Sequence, residues 1–455
     1  MNADALRALS VPALAAALRR GEVSSEAVSR AYLDRIGEVN PKLNAVVQLR
    51  AEAALAEARA ADRVPPGQRG PLHGVPMTIK DSLDTAGIVT TGGSKGRASF
   101  VPGEDATVVK RLRAAGAIVM GKTNTPDLTL GYETFNLVYG RTNNPFDLER
   151  TSGGSSGGAA AIVAAGGSPL EIGSDTGGSI RLPAHFCGIA GHKPTAGRVP
   201  RTGHIIDYAG APQFLTHIGP LARRVEDLAL VLPIVAGPDG VDPHVVPVPL
   251  GDPWAARVAG LRVGRFEKLP PLEPTRETVS AVESAVGALA RAGCHVDTAV
   301  EIPESGRLYD TYMSFLFGDG GAAVGRALDR WGSADSPLRK RIEGMRALSS
   351  AELMERYEWL DGWRSRMLGL FAPLDAIVCP VNVGPAPRHE TFDRATAAYT
   401  QMFNLTGWPI TVVRAGTSDE GLPVGVQVVA HPWREEVSLA LAREIETALG
   451  PFPGP

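Results

Sequence analysis

Apolar residues recur with two different spacings along the chain, and these spacings alternate from one segment to the next. Residues 10–62 show helical spacing, for example at Val28, Ala31 and Ile36, and serines precede the helical stretches as possible caps. Beyond them, short apolar runs bounded by glycine or proline, such as 75–79 and 118–120, are typical of buried strands. The alternation predicts an α/β fold with an extensive buried sheet.

The same alternation continues to the end of the chain. Residues 106–116 predict a helix that stops at a glycine, and residues 279–301 repeat the order of helix, glycine and strand. Residues 303–375 predict mostly helix. Later strands are predicted at 375–380, 409–413 and 424–430, and a last helix at 435–449. Because the late strands can complete the early sheet, the Pro/Gly-rich stretch at 237–253 need not separate two domains.

Composition and charge exclude several classes of protein. Of the 455 residues, 44% are hydrophobic, and 46 basic residues nearly balance 49 acidic ones, which argues against a nucleic-acid-binding protein. No secretory signal and no apolar run of about 18 to 20 residues is present, so no membrane span is expected. Three widely spaced cysteines and nine histidines show no metal-ligand spacing. We expect a cytoplasmic protein without a metal.

Glycine is the one unusual component, and it is concentrated locally. The chain has 52 glycines, where average usage would give about 32. Residues 151–180 hold nine glycines and six serines, interleaved with an apolar, helix-compatible piece and a strand-like piece. A flexible linker has no reason to contain such core-forming pieces. We therefore interpret the Gly-Gly-Ser elements that end at Ser155 and Ser179 as turns that present hydroxyls and backbone N–H groups.

A phosphate-loop pattern is also present, but its context is unfavourable. Residues 116–123, GAIVMGKT, match GxxxxGK[ST] in every position. A phosphate loop follows a strand and opens a helix, whereas here a helix precedes the pattern and Ala-Ile-Val-Met has the character of a strand. We therefore predict that this segment does not bind a nucleotide.

A serine nucleophile needs a base, and the residues offer two kinds. His73, His185 and His192 lie near the serines in sequence, although no GxSxG elbow surrounds either serine. Lys80 ends an apolar, strand-like run in LHGVPMTIKDSLD, and a lysine can act as a base if burial lowers its pKa by several units. The residues alone leave both possibilities open.

The combination of these segments resembles the amidase signature family. Residues 153–183, GGSSGGAAAIVAAGGSPLEIGSDTGGSIRLP, are similar to the defining motif of that family, and GVPMTIKD is similar to its lysine motif. Residues 122–145 and 187–203 also match, as do FNLTGWP and GLPVGVQVVA near the C-terminus. The resemblance is dense over residues 70–205 and weaker over 375–440.

The resemblance implies the fold and a catalytic triad. It implies one amidase-signature domain over residues 1–455, in which a large mixed central β-sheet is covered by helices on both faces. Within it we expect N-terminal helices at 1–65, the signature core at 66–205 and a mostly helical substrate-side insertion at 300–375. By motif, Ser179 is the nucleophile, Ser155 the bridging serine after a cis peptide bond, and Lys80 the base.

The resemblance also implies an oxyanion hole and no cofactor. The hole would be made by the N–H groups of Thr176, Gly177, Gly178 and Ser179, where glycine lets the substrate carbonyl approach closely. We expect Asp175 and Arg181 to brace this turn through charge-assisted hydrogen bonds, and His185 and His192 to be structural. Residues expected to contact substrate are Leu130, Gly131, Tyr132 and Gln401.

The expected reaction is hydrolysis of small, largely hydrophobic or aromatic amides, with activity on carbamates and esters. Apolar residues near the predicted pocket walls, in 130–135 and 313–317 and at Met402, favour such substrates, although each can equally belong to the core. The chain is similar to the carbamate-cleaving members of the family, the urethanases. We expect a monomer or homodimer whose only partner is the small-molecule substrate.

Two alternatives stay open at this point. The chain could be the glutaminase component of a glutamyl-tRNA amidotransferase, but Ala397 stands where that component has a carboxylate for the glutamine amino group. Residues 311–325 also lack its tyrosine- and arginine-bearing pattern. A catalytically inactive binding protein of the same fold is the second alternative, and the presence of Lys80, Ser155 and Ser179 argues against it.

Overall fold

The computed structural model describes residues 1–206, 210–450 and 454–455. Its strands are β1 (Val46–Leu49), β2 (Pro76–Lys80), β3 (Ile118–Thr123), β4 (Phe135–Asn136), β5 (Gly140–Arg141), β6 (Leu170–Asp175), β7 (Ala190–Lys193), β8 (His217–Ala222), β9 (Arg262–Arg265), β10 (His295–Ala299), β11 (Ala376–Pro380), β12 (Ile410–Thr417) and β13 (Pro423–Ala430). Its α-helices are α1 (Ala3–Ala8), α2 (Val11–Arg20), α3 (Ser25–Leu43), α4 (Ala51–Asp62), α5 (Thr107–Ala114), α6 (Gly157–Ala164), α7 (Arg181–Phe186), α8 (Val225–Val235), α9 (Arg276–Arg291), α10 (Leu308–Phe317), α11 (Ala322–Arg330), α12 (Pro337–Ile342), α13 (Ser350–Phe371), α14 (Ala398–Thr406) and α15 (Glu435–Leu449).

Eleven of the described strands form one mixed sheet in the order β1-β3-β2-β6-β8-β7-β12-β13-β11-β9-β10. Strands β4 and β5 form a separate two-stranded ribbon. The late strands join the early ones through the antiparallel pair β7–β12, so the predicted completion of one sheet is confirmed. The predicted α/β class with a large mixed sheet is confirmed as well.

The sheet carries an apolar core on each face. Along β11, the side chains of Ala376 and Val378 belong to the cluster that also contains α2, α3, α8, α9 and α15. The alternating residues Ile377 and Cys379 belong to a second cluster, with α10, α13 and α14. Successive side chains of a strand point to opposite faces, so both faces of the sheet are covered by helices.

The N-terminal segment differs from its all-helical prediction. Strand β1 interrupts the helices and pairs antiparallel with β3. The preceding helix α3 ends at Leu43. Its C-cap Asn44 adopts a left-handed conformation (φ 49°) that redirects the chain, and the β-branched residues Val46 and Val47 follow. The strand is only four residues long, and its pairing depends on a strand more than seventy residues away.

The phosphate-loop pattern lies in β3, as the sequence predicted. Helix α5 precedes it, and all six residues of β3 are buried. The ammonium group of Lys122 donates hydrogen bonds to Thr85 Oγ1 (2.7 Å) and to the carbonyl oxygen of Leu83. The lysine therefore ties a loop to the sheet rather than reaching toward a phosphate.

Sheet topology brings the signature segments to one edge. Strands β2 and β6 are parallel neighbours, with Thr78 opposite Glu171 and Ile79 opposite Ile172. The carboxyl ends of parallel strands meet at the same edge. Lys80, which ends β2, and the turn that follows β6 at Asp175 therefore lie side by side. Among the described residues, no helix is both long and apolar enough to cross a membrane.

Candidate active site

Lys80 is fully buried at the end of β2 and faces two serines. Its Nζ atom lies 2.7 Å from Ser155 Oγ and 3.0 Å from Ser174 Oγ, with the Ser174 carbonyl oxygen at 3.4 Å. Burial lowers the pKa of Lys80 to about 7, although the charges of Asp175 and Glu171 act in the opposite direction. A lysine with this pKa is substantially neutral near pH 7, so its lone pair can accept a proton.

Ser155 lies in the turn that leads into α6. The peptide bond between Gly154 and Ser155 is cis, as the family resemblance implies. Thr134 holds the turn from both sides, because its Oγ1 donates to the Gly153 carbonyl oxygen (2.9 Å) and accepts from the Gly157 N–H (3.1 Å). The turn thus has a defined shape set by a residue outside the Gly/Ser segment.

The second turn, between β6 and α7, carries Ser179. The N–H of Ser156 donates to the carbonyl oxygen of Ser179 over 3.1 Å, which joins the two turns directly. Ser179 is 5% exposed and lines a small cavity. Lys80, Ser155 and Ser179 therefore come together at one end of the sheet.

Asp175 and Arg181 brace this turn, and their predicted bracing role is confirmed. The fully buried pair is bidentate, with Arg181 donating to both carboxylate oxygens of Asp175 (2.9 and 3.0 Å). The same carboxylate accepts from the N–H groups of Gly178 (2.8 Å) and Ile180 (3.1 Å) and from Asn404 Nδ2 (2.9 Å). Burial alone would raise the pKa of Asp175, but Arg181 and Asn404 hold it well below its usual range.

The N–H groups of the turn are not equivalent. The Gly178 N–H is committed to Asp175, whereas those of Gly177 and Ser179 have no acceptor within the described residues. A side chain at Gly177 would point toward tyrosine hydroxyls, since a Cβ there would lie 2.5 Å from the Tyr312 oxygen and 2.9 Å from the Tyr132 oxygen. The backbone of Gly177 is thus open to the cavity only because glycine has no side chain.

The cavity at Ser179 is narrow and adjoins a wider one. It has a volume of about 30 Å³, while the neighbouring cavity, which shares Leu130, Gly131 and Tyr132 as lining residues, has about 510 Å³. Of the predicted substrate-contact residues, these three line both cavities. Gln401 is buried behind the wall, where its Nε2 donates to the Tyr132 hydroxyl over 2.6 Å. The described geometry therefore makes Gln401 a support for Tyr132.

Sequence reasoning missed two tyrosines and two arginines that line the cavity at Ser179. Tyr309 and Tyr312 come from α10, Arg341 from α12, and Arg394 from the segment before α14. Arg341 also donates to the Leu130 carbonyl oxygen (2.8 Å), so it ties the two walls together. In the sequence, tyrosines and arginines were sought in residues 311–325. Three of these four residues lie outside that range, so the group could not be recognised there.

The apolar residues proposed near the pocket divide between cavity and core. Met313 and Leu316 line the cavity at Ser179, and Phe135 lines the wider one. Phe315 and Met402 are buried in the core between α10, α13 and α14. Helical spacing explains the division, because residues three apart on α10 share a face.

The two histidines expected to be structural are buried away from Lys80. His185 Nδ1 accepts from the Gly425 N–H (2.7 Å) and Nε2 meets the Gly384 carbonyl oxygen (3.0 Å), while His192 Nδ1 meets Thr411 Oγ1 (3.0 Å). Burial lowers their pKa values to about 4 and about 3. Within the part of the chain that is described, no group of three or more His, Cys, Asp or Glu side chains could hold a metal ion.

Comparison with known proteins agrees with this fold. The Amidase family model matches residues 27–439. A glutamyl-tRNA(Gln) amidotransferase subunit from Nitratidesulfovibrio vulgaris (strain DP4) is 36% identical over 99% of both chains. Fatty-acid amide hydrolase 2-B from Danio rerio is 35% identical over 99% of this chain and 91% of its own. A bacterial aryl acylamidase structure superposes with a TM-score of 0.87 and 28% identity, over 97% of this chain and 96% of that one.

The protein has a mixed β-sheet covered by helices, and at one end of this sheet a buried lysine lies next to two Gly/Ser-rich turns. This combination defines a class of hydrolases that act on amide carbon–nitrogen bonds. This chain belongs to the amidase signature family.

Proposed function

We propose that this protein hydrolyses small, largely hydrophobic or aromatic amides, and also carbamates and esters, through Lys80, Ser155 and Ser179. The observation that carries the proposal is the 2.7 Å contact between Lys80 Nζ and Ser155 Oγ in a buried site. Burial lowers the pKa of Lys80 to about 7, which suits a general base at neutral pH. Ser155 then relays the proton between Lys80 and the nucleophile.

The proton path defines each step of the reaction. Neutral Lys80 accepts the proton of Ser155 as Ser155 accepts the proton of Ser179, whose Oγ attacks the substrate carbonyl carbon. The negative charge that develops on the carbonyl oxygen is stabilised by backbone N–H groups, among which those of Gly177 and Ser179 are uncommitted within the described residues. The relay then runs backwards, so that Ser155 protonates the leaving nitrogen and the C–N bond breaks. Water hydrolyses the acyl-enzyme through the same relay.

Carbamates fit the same steps. Attack on the carbamate carbonyl and release of the amine would leave an alkoxycarbonyl group on Ser179. Water would release this group as a carbonic half-ester, which loses carbon dioxide. Amines leave poorly unless protonated, so amides and carbamates depend on the relay more than esters do.

The walls of the cavity at Ser179 support uncharged substrates with apolar groups. Leu130, Met313 and Leu316 supply apolar surface, and tyrosines supply aromatic surface. Its charged lining residues are Arg341 and Arg394, and no carboxylate lines it among the described residues. A substrate ammonium group would therefore find like charge there and no counter-charge.

A glutaminase within an amidotransferase complex is the second candidate, because a glutamyl-tRNA(Gln) amidotransferase subunit is 36% identical over 99% of this chain. Glutamine carries an ammonium group. Among the described residues, no carboxylate lines the cavity at Ser179, whereas Asp127, Glu133 and Glu390 line the wider cavity beside it. Ala397 is buried and apolar, and it stands where the family resemblance implies the carboxylate of that subunit. The absence of a carboxylate next to Ser179 and the alanine at 397 favour the first candidate.

A panel of kcat/KM values tests the substrate assignment. It compares an aryl amide, a fatty amide, an aryl carbamate, an ester and glutamine. We expect the aryl and fatty amides to exceed glutamine by at least about 100-fold, the discrimination that about 2.7 kcal/mol provides. Preference for glutamine, with stimulation by the other amidotransferase subunits, would establish the second candidate instead.

The pH dependence of amide hydrolysis follows from the state of Lys80. Only the neutral amine accepts a proton, so kcat/KM for an amide should rise with pH through about 7, the pKa to which burial lowers Lys80. Among the described residues, the charged or titratable groups that act on this amine are Asp175, Glu171 and His204. A profile that is flat or falls across this range would contradict a lysine base.

Gly177→Ala should damage the site without damaging the fold. The added methyl group would meet the hydroxyls of Tyr312 and Tyr132 and displace the turn, so we expect amide kcat/KM to fall about 100-fold. The matched control is Gly37→Ala in α3, where a Cβ would meet nothing within 4 Å. The control should keep full activity, and equal activity in both variants would contradict the role given to the turn.

A further inference from the structure

A histidine outside both Gly/Ser turns is connected to the proposed base. His204 Nε2 lies 3.0 Å from Ser174 Oγ, and Ser174 Oγ lies 3.0 Å from Lys80 Nζ. On its other side, His204 Nδ1 lies 3.1 Å from the Ile206 carbonyl oxygen. His204 is 5% exposed, and burial, together with the charge of Lys80, lowers its pKa to about 3. The imidazole is therefore neutral.

A neutral imidazole has one donor nitrogen and one acceptor nitrogen. The nitrogen that carries the proton therefore determines which group donates in each of these hydrogen bonds. His204 Nδ1 lies 3.1 Å from the carbonyl oxygen of Ile206 and 3.4 Å from the amide nitrogen of Ile206. The shorter contact, to an acceptor, favours a proton on Nδ1. Nε2 then accepts the hydroxyl proton of Ser174. The oxygen of Ser174 is left to accept an N–H from Lys80.

Because the Ser174 oxygen accepts an N–H from Lys80, it determines where the lone pair of the neutral Lys80 amine points. A neutral lysine has two N–H donors and one lone pair. With its N–H groups directed to the hydroxyl and carbonyl oxygens of Ser174, the lone pair faces Ser155 Oγ at 2.7 Å. If the Ser174 hydroxyl were free to rotate, it could donate its proton to Lys80 and occupy the lone pair that the relay needs.

We propose that His204 is a positioning residue that acts through Ser174 to keep the lone pair of Lys80 directed at Ser155. This inference rests on the proposed function, because it matters only if Lys80 is the base. His204 does not touch the substrate in this scheme. Its removal should therefore affect proton transfer and leave substrate binding unchanged.

Two substitutions of His204 distinguish the effect of losing its contact to Ser174 from the effect of changing the rest of its side chain. His204→Asn keeps a polar group near Ile206 but is too short to reach Ser174, whereas His204→Gln can place an acceptor near the position of Nε2. For an aryl amide we expect His204→Asn to lower kcat about 10-fold or more with KM within about 2-fold. An activated ester should lose less, and His204→Gln should restore most of the amide activity.

A double-mutant cycle tests whether the effect passes through Ser174. Ser174→Ala should lower amide kcat by a similar factor, and His204→Asn added to it should cause little further loss, because the two residues act as one unit. Independent, multiplying losses would overturn the inference. Unchanged kcat and an unchanged amide-to-ester ratio in His204→Asn would overturn it as well.

His192→Leu is the matched control for loss of a buried histidine. His192 also meets a hydroxyl, Thr411 Oγ1 at 3.0 Å, but has no contact with Lys80. Thermal unfolding of each variant measures the structural cost, and only the His204 variants should change the amide-to-ester ratio. A change of that ratio in His192→Leu would show that general destabilisation is responsible. Full activity of Ser179→Ala would instead refute the proposed function itself.

Discussion

Ser179→Ala is expected to lose amide hydrolysis by about 10⁴-fold or more in kcat, because it removes the hydroxyl that we propose to form the acyl-enzyme. The substitution removes one oxygen from a residue that lines the cavity, and it leaves the backbone bond from Ser156 N–H to the residue 179 carbonyl oxygen in place. The protein should therefore fold as before and still bind substrate. Steady-state kinetics with an aryl amide, together with binding of the intact substrate, measure both effects.

Ser152→Ala is the matched control for this loss. Ser152 lies in the same Gly/Ser segment and is buried, but within the described residues its hydroxyl makes only a long 3.5 Å contact with the Thr142 carbonyl oxygen. We expect this variant to keep amide activity within a few-fold of the original protein, as for most substitutions that remove a weak contact. Equal activity of the Ser179→Ala and Ser152→Ala variants would end the proposed mechanism.

Lys80→Met is expected to lower amide kcat/KM by about 10³-fold and to affect activated esters much less. Methionine fills much of the same buried space but cannot accept the proton of Ser155. An activated ester has a leaving group that needs no proton, so the loss should be unequal between the two substrate types. The ratio of amide to ester kcat/KM is therefore the decisive measurement.

Lys122→Met provides the control for loss of a buried lysine in a neighbouring strand. Lys122 is fully buried in β3, and burial lowers its pKa to about 8, but its ammonium group bonds to Thr85 and Leu83. The variant should unfold at lower denaturant concentration because it leaves those acceptors unpaired. Its amide-to-ester ratio should stay unchanged. A similar change of ratio in both variants would contradict a specific role for Lys80.

The sequence was sufficient for the elements whose signal is local. Short apolar runs bounded by glycine or proline predicted β2, β3 and β11 close to their observed bounds, because the apolar character of a buried strand is visible in its own sequence. Strand β1 was missed because it is short, lies between strong helix formers and depends on pairing with β3.

Residues of the candidate site divide in the same way. Lys80, Ser155 and Ser179 lie in segments that carry recognisable motifs, so they could be proposed from the sequence. Arg341 lines the same cavity from helix α12, about 160 residues after Ser179. The sequence around Arg341 contains no motif that identifies it as a site residue. His204 likewise meets Ser174 only through the packing of its loop against the end of β6. Such contacts follow from the tertiary structure and have no sequence period.

The hydrogen bond from the Gly178 N–H to the Asp175 carboxylate could not be predicted from the sequence either. Glycine at 177 and 178 signals a tight turn, but the two positions have different tasks. Gly178 adopts φ 122°, which other residues rarely adopt, and a Cβ there would lie 2.3 Å from Thr400 Oγ1. Gly177 instead keeps the cavity clear of a side chain.

The central claim is that Ser179 becomes covalently acylated during turnover. The most direct measurement is mass spectrometry of the protein quenched during reaction with a slowly released aryl carbamate, followed by peptide mapping. We predict one added group on the peptide that contains Ser179. This group should be absent in Ser179→Ala and should form much more slowly in Lys80→Met. Rapid turnover of the same substrate with the added group on another residue, or with adduct formation unchanged in Ser179→Ala, would contradict it.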